Sequence, residues 1–232
     1  IEEYKGKYDF ASLLCDINDI EGDFLIRFMT SHPKDASKRL IDTLATLEKA
    51  APHFHLPLQS GSDKILCEMN RHYDRETYLG LVKYMREKMP DIAITTDIIV
   101  GFPGESEEDF LETYNLLQEV GASFLHIFPF SERPGTPAIN LPNKVQSSIS
   151  TQRVSRLEEL SSRLHKEFAT RYLGSNREVL FESTDRHGMM YGYTDNYLRV
   201  KCKYDTSKIN QICTVKLLDI DVDGDIIAEI VG

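Results

Sequence analysis

The sequence predicts an α/β protein in two parts, a partial parallel (β/α) barrel followed by a small antiparallel β-barrel. Three observations predict it. Up to about residue 140, short apolar segments alternate with segments whose apolar positions recur every three or four residues, the pattern of strand–helix units joined into a parallel sheet. After Gly174 the helical period gives way to short alternating strands separated by turn residues. In the first part several strands carry polar residues on one face, where a sheet buried on both sides would be apolar throughout.

In chain order, residues 24–30, 53–58, 92–100 and 123–130 read as strands, being short, apolar and rich in β-branched or aromatic residues. Residues 36–50, 75–89 and 107–121 read as helices. The first is marked by Leu40, Leu44 and Leu47, the second by Tyr78, Leu81, Val82 and Met85. A shorter helix at 63–69 follows the second strand with Ser62 as its N-cap, and Ser106 with Asp109 makes a capping box for the helix at 107. Residues 1–140 form the barrel part on this reading. Residues 141–174 hold a polar connector and then a long amphipathic helix, 151–173, which buries Val154, Leu157, Leu160, Leu164 and Phe168 and stops at Gly174. Its other side, with Arg153, Arg156, Arg163, Lys166 and Arg171, reads as a solvated face. Residues 175–232 supply the second part, with strands at 178–182, 189–193, 197–203, 212–219 and 225–231.

Composition limits what such a chain does. Its 232 residues, 41% hydrophobic and 28% charged, are those of an ordinary globular protein, and no apolar run reaches the ~18 residues of a membrane span. No secretory leader is recognised, so the cytoplasm is the expected compartment. Cys15, Cys67, Cys202 and Cys213 form no CxxC pair, which predicts reduced, mostly buried thiols rather than a zinc or iron–sulfur motif. A net charge of −10 opposes non-specific binding to nucleic acid, so any RNA contact is local.

Side chains alternate along a strand, and this phase separates two faces. Phe54, Leu56 and Leu58 pack against helices, while His53, His55, Pro57 and Gln59 point the other way; Ile94 and Ile98 likewise oppose Thr95 and Asp97. His55, Gln59, Thr95, Asp97 and His126 therefore line a polar cavity. His53 and His55 also have the spacing of two metal ligands, which with Asp97 and His126 would suit a metal-dependent barrel hydrolase; hydrogen-bonded core histidines are the alternative. Gln59 and Ser60, at a strand end, suit a polar ligand, or else belong to a simple strand-to-helix turn. Gly101 and Gly104 allow close backbone approach at the next strand end but lack the order and lysine of a phosphate loop. Asp97 is a functional carboxylate or one half of an ion pair with Arg27.

Taken together, HLPLQSGSD (55–63), TDIIVGFPGE (96–105) and FSERPGTPA (130–138) resemble the second half of the methylthiotransferases of the radical S-adenosylmethionine superfamily. The last part is similar to that family's RNA-binding TRAM domain, most clearly at GYTDNYLRV (192–200). The resemblance implies an incomplete radical SAM barrel, S-adenosylmethionine as cofactor and two 4Fe-4S clusters. One cluster cleaves the cofactor to a radical that takes hydrogen from an unreactive carbon, and the other carries the sulfur to be inserted. By position it also implies that Gln59, Ser60 and Asp97 hold the ribose and amino-acid part of the cofactor, while Gly101 and the Phe130–Ser131 backbone line its adenine. The family's CxxxCxxC motif is absent from these residues, so no catalytic or metal-ligating residue is assigned here. The chain is expected to be a fragment, inactive alone, with its clusters ligated outside it.

The implied substrate is a hypermodified adenosine beside a tRNA anticodon, methylthiolated at C2; a ribosomal-protein target is the alternative. RFMTSHP (27–33) looks like the enzymes for isopentenyladenosine, whereas LHIFPF (125–130) and GYTDNYLRV look like those for threonylcarbamoyladenosine. Implied partners are tRNA, met through the TRAM domain, and a reductant for the cluster; a monomer is expected. The last 58 residues carry 7 Lys or Arg against 10 Asp or Glu, so RNA contact needs a patch, for which Tyr197, Arg199, Lys201 and Lys203 are the candidates.

Overall fold

Three parallel strands, β1 (His53–His55), β2 (Ala93–Val100) and β3 (Phe124–Pro129), form a sheet in the order β1-β2-β3. The computed structural model describes residues 8–29, 32–182 and 187–231. Register sets His55 opposite Thr95 and Asp97 opposite His126. The predicted strand phase holds: Phe54, Leu56, Leu58, Ile94, Ile98 and Val100 are buried in one core beneath helices α4 (Arg75–Lys88) and α5 (Glu107–Val120). α5 starts at the predicted capping box and ends at Gly121, whose φ of 56° gives the left-handed C-cap.

The expected strand at 24–30 is reduced to one parallel bridge between Ile26 and Ala50. Its ladder stops where the next donor on that side, the N–H of His53, turns back to the Ala51 carbonyl at 2.7 Å. Thr30 lies outside the described residues. The expected helix at 36–50 is a 3₁₀ turn (Pro33–Asp35) and a short α2 (Lys38–Leu44) capped by Ser37; Thr43 and Thr46, poor helix formers, then tighten into a turn. One helix was not foreseen: α1 (Phe10–Asn18), with Asp9 as N-cap accepting the Ser12 N–H at 2.9 Å. Ser62 does precede α3 (Asp63–Glu68), but its hydroxyl donates to Asp109 Oδ1 at 2.7 Å instead of capping the helix.

The second part is a closed barrel of β4 (Asn176–Phe181), β5 (Met189–Thr194), β6 (Arg199–Lys203), β7 (Ile212–Ile220) and β8 (Ile226–Ile230), in the order β4-β5-β6-β8-β7. It is not wholly antiparallel, because β6 and β8 pair in parallel. A ring of five strands cannot alternate direction all the way round, so closure forces one parallel pair. Helix α6 (Ser147–Thr170) joins both parts, with Leu157, Leu160 and Leu164 in the first core and Phe168 in the second. Polar contacts tie the parts together: Arg27 donates to the carbonyls of Thr194 and Asp195 at 3.1 Å each, and Arg177 bridges Asp91 and Asp195. The solvated face expected on α6 fails at Arg153, which is buried against Glu105. Of the cysteines, Cys202 and Cys213 are buried and Cys67 is exposed. No helix among the described residues is long and apolar enough to cross a membrane.

Asp109 gathers bonds from the Ser62 hydroxyl, Lys64 and both the N–H and hydroxyl of Ser106, each between 2.7 and 2.8 Å. Burial opposes its ionisation, but these donors outweigh burial and hold the carboxyl well below the usual range. A depressed folded pKa gives stability that is complete above the unfolded value near ~4 and is lost as pH falls through the folded value. Urea midpoints measured from pH 7 down to pH 2 are therefore expected to fall less steeply for Asp109→Asn than for the unmodified chain. Parallel pH curves would show that this carboxylate carries no such linkage.

Candidate cofactor cavity

The sheet face opposite the core carries a continuous polar row. The Thr95 hydroxyl lies 3.1 Å from His53 Nε2 and 2.9 Å from His55 Nδ1, and His55 Nε2 lies 3.3 Å from Asp97 Oδ2. His126, opposite Asp97, meets His55 ring edge to face with centroids 5.5 Å apart. One ligand atom from each of His55, Asp97 and His126 lies within 4.8 Å of the others. Burial, with help from the charges of Arg27, His55 and His126, pushes the His53 imidazole down to about 3, so it is neutral; His126 is lowered mainly by burial, against the pull of Asp97. The metal-hydrolase pairing of His53 with His55 does not fit this arrangement. His53 commits Nε2 to Thr95 and stacks its ring on Tyr197, so His53 stands apart from the cluster that His55 makes with Asp97 and His126.

Asp97 keeps 28% of its side chain exposed and partners His55; the ion pair considered with Arg27 does not form, since Arg27 turns to the terminal barrel. Gln59 extends the ladder past β1, its N–H donating to the Asp97 carbonyl at 2.8 Å and its carbonyl accepting from Ile99 at 2.9 Å. It does so at φ 69°, an uncommon conformation for a non-glycine residue. Its side-chain amide makes no hydrogen bond to protein among the described residues. Ser60 is buried in the turn: its Oγ is 3.3 Å from Thr113 Oγ1 and accepts the Ser62 N–H at 3.2 Å. Gly101, at φ 76°, donates its N–H to Glu105 Oε2 at 2.6 Å, and a Cβ there would strike the Ser150 side chain. Phe130 packs edge-on against Phe102, centroids 5.2 Å apart, and Ser131 is exposed beyond it. Thr113, which stitches the strand-end turn to α5, is signalled in the sequence only by its place on the buried side of that helix.

The family model described as the radical SAM superfamily matches residues 4–117. A tRNA-2-methylthio-N(6)-dimethylallyladenosine synthase of Alkaliphilus oremlandii (strain OhILAs) is 43% identical over 227 residues, 95% of this chain and 48% of the relative. Over nine tenths of its length the chain is similar to radical SAM methylthiotransferases. A further relative, the threonylcarbamoyladenosine tRNA methylthiotransferase MtaB of Bacillus subtilis (strain 168), is 38% identical over 91% of this chain and 48% of its own length. The chain spans about half the length of the curated relatives it matches.

The four residues expected to form an RNA patch are not equivalent. β6 presents Arg199, Lys201 and Lys203 on one face, but Arg199 pairs with Asp225 at 3.3 Å and Lys201 pairs with Asp221. Lys203 is exposed. Tyr197 precedes the strand at φ 66°, its ring between His53 and Tyr193 with centroids 4.3 and 4.9 Å away. With Thr95, His126 and Arg199 these tyrosines line a cavity of about 300 Å³ between the two parts.

Proposed function

We propose that this chain is the carboxy-terminal part of a tRNA methylthiotransferase that inserts a methylthio group at C2 of a hypermodified adenosine beside the anticodon. Residues 1–140 would be the later part of the radical SAM barrel, 141–174 the connecting helix, and 175–232 a TRAM-like barrel that meets the tRNA anticodon region. The cytoplasm is the compartment this reading gives, with a reductant as partner. S-adenosylmethionine would supply the radical for hydrogen-atom abstraction, with a 4Fe-4S cluster held by residues other than these as its reductant. The observation that carries the reading is a partly exposed Asp97 on the cavity face of β2, whose backbone carbonyl holds the strand-end residue Gln59, a residue whose side-chain amide has no protein partner among the described residues.

The donor set fits the cofactor. An ionised carboxylate only accepts hydrogen bonds, which suits ribose hydroxyls or an ammonium group, and Gln59 both donates and accepts. Phe102 and Phe130 supply an apolar wall beside the Gly101 turn. Ser60 and Gly101 contribute less directly, since the Ser60 hydroxyl and the Gly101 N–H already have protein partners, and they shape the turns that carry their neighbours.

Relatives named for dimethylallyladenosine and for threonylcarbamoyladenosine both match, so the test must separate the two products. In tRNA from a strain lacking the gene, nucleoside analysis is expected to show loss of one methylthio nucleoside. Complementation with Asp97→Asn in the whole gene product should restore about a hundredfold less of it than the unmodified gene, roughly 2.7 kcal/mol of transition-state stabilisation. Unchanged methylthio nucleosides in the deletion strain would overturn the proposal.

A further inference from the structure

The polar row has a definite hydrogen-bond direction. His55 Nε2 lies 3.3 Å from Asp97 Oδ2, and a proton carried on Nε2 leaves His55 Nδ1 as an acceptor. The Thr95 hydroxyl has a single proton, gives it to His55 Nδ1 at 2.9 Å, and must accept from His53 Nε2–H at 3.1 Å. His53 Nδ1 is then a bare acceptor, and it is the atom that lies buried without a partner. The reverse order would bury an unpaired donor there and leave His55 Nε2 facing the carboxylate without a proton unless the ring were charged.

At its far end the row leaves the parallel sheet and meets the terminal barrel. His53 and Tyr197 stack at 4.3 Å with 20° between their planes, and Tyr193 covers the other side of Tyr197 at 4.9 Å and 17°. Arg27 stands 4.7 Å from the Tyr197 ring centre and holds the loop before it through the Thr194 and Asp195 carbonyls. The residue so held has φ 66°, a strained conformation for an aromatic residue that persists only where its surroundings fix it. Aromatic packing, a cationic clamp and a strained backbone therefore converge on one side chain.

We propose that Tyr197 is a positioning residue of the cavity: stacked on His53, it fixes the row His53–Thr95–His55–Asp97 and so sets the direction in which the Asp97 carboxylate faces. The terminal barrel then completes the cavity wall as well as offering a surface to RNA. The effect on turnover rests on the cofactor role proposed for Asp97; the hydrogen-bond row does not.

Two readouts test it. In the chain labelled with ¹⁵N-histidine, long-range ¹H–¹⁵N correlation spectra should show both His53 and His55 protonated at Nε2 and bare at Nδ1. Tyr197→Gly removes the ring while suiting the positive φ, and should shift the signals of both histidines; Tyr197→Phe should leave them in place. Thr95→Val should shift both with the stack retained, which keeps the test decisive if the glycine variant folds poorly. Unmoved His55 signals in a folded Tyr197→Gly chain, or in Thr95→Val, would overturn the proposal. In the whole gene product, Tyr197→Gly and Thr95→Val should each raise the KM for S-adenosylmethionine about tenfold, ~1.4 kcal/mol, with affinity for a tRNA anticodon stem-loop unchanged. Weakened stem-loop binding with an unchanged cofactor KM would make Tyr197 an RNA contact and refute the positioning role. A gene product with no methylthiolation at all would remove the function proposed above, while the histidine spectra would still decide the row.

Discussion

Replacing Arg153 by alanine is expected to destabilise the chain by about 3–5 kcal/mol, the cost of leaving one member of a buried ion pair alone. Arg153 and Glu105 expose 5% and 1% of their side chains and meet at 2.5 Å. The same carboxylate oxygen accepts the Gly101 N–H at 2.6 Å, and Arg153 Nη1 also reaches the Glu105 carbonyl at 3.3 Å. Without the guanidinium, Glu105 would keep one backbone donor in an apolar setting. Burial already pushes its carboxyl up with Arg153 present, and in the variant nothing comparable opposes it. The sign follows: an acid with a raised folded pKa binds more protons folded than unfolded, so stability falls as pH rises from the unfolded value near ~4.3 through the folded one. Urea unfolding should therefore show a larger deficit for Arg153→Ala at pH 7 than at pH 5. Arg153→Met with Glu105→Gln should recover most of the loss. A deficit below ~1 kcal/mol at pH 7 would mean that water reaches the pair.

The contrast between Arg153 and Asp109 shows what a sequence displays and what it hides. Asp109 lies three residues from Ser106 in a capping box, so its partner is local and its pattern readable. The partner of Arg153 is 48 residues away, and on α6 its position matches the solvated arginines around it. Strand phase predicted the cavity face because alternation is also local; it placed His55, Thr95, Asp97 and His126 together before any contact was known. It gave no sign that Tyr197 stacks on His53 of the parallel sheet, because a positive φ at an aromatic residue breaks the alternation on which the reading depends. The missed helix α1 was legible in Asp9, Leu14 and Ile17, whereas the lost strand at 24–30 was not: its end depends on His53, across a loop, turning its N–H back to the Ala51 carbonyl.

Gly61→Ala is the second substitution expected to do severe damage, and it bears on why HLPLQSGSD has a glycine. A Cβ at Gly61 would lie 2.5 Å from Thr113 Cα and 3.1 Å from both Thr113 N and the Glu112 carbonyl oxygen. All three are backbone atoms of α5, so no rotamer change relieves the clash; the turn must lift or the helix must move. The Gly61 N–H donates to Thr113 Oγ1 at 2.8 Å, and this bond would break with either movement. Overpacking against backbone plus one lost buried bond gives a loss of about 3 kcal/mol, with a lower urea midpoint and an unchanged slope. Gly80→Ala is the internal control: it lies exposed in α4 with nothing within 4 Å of a new Cβ, and should stabilise by ~0.5–1 kcal/mol. Because Gln59 is held only two residues away, the lifted turn should also shift its amide signals. If Gly61→Ala were as stable as the unmodified chain yet bound S-adenosylmethionine poorly in the whole gene product, the glycine would serve the ligand. If stability falls and the Gln59 signals move together, the close approach of the turn to α5 is what excludes a side chain there.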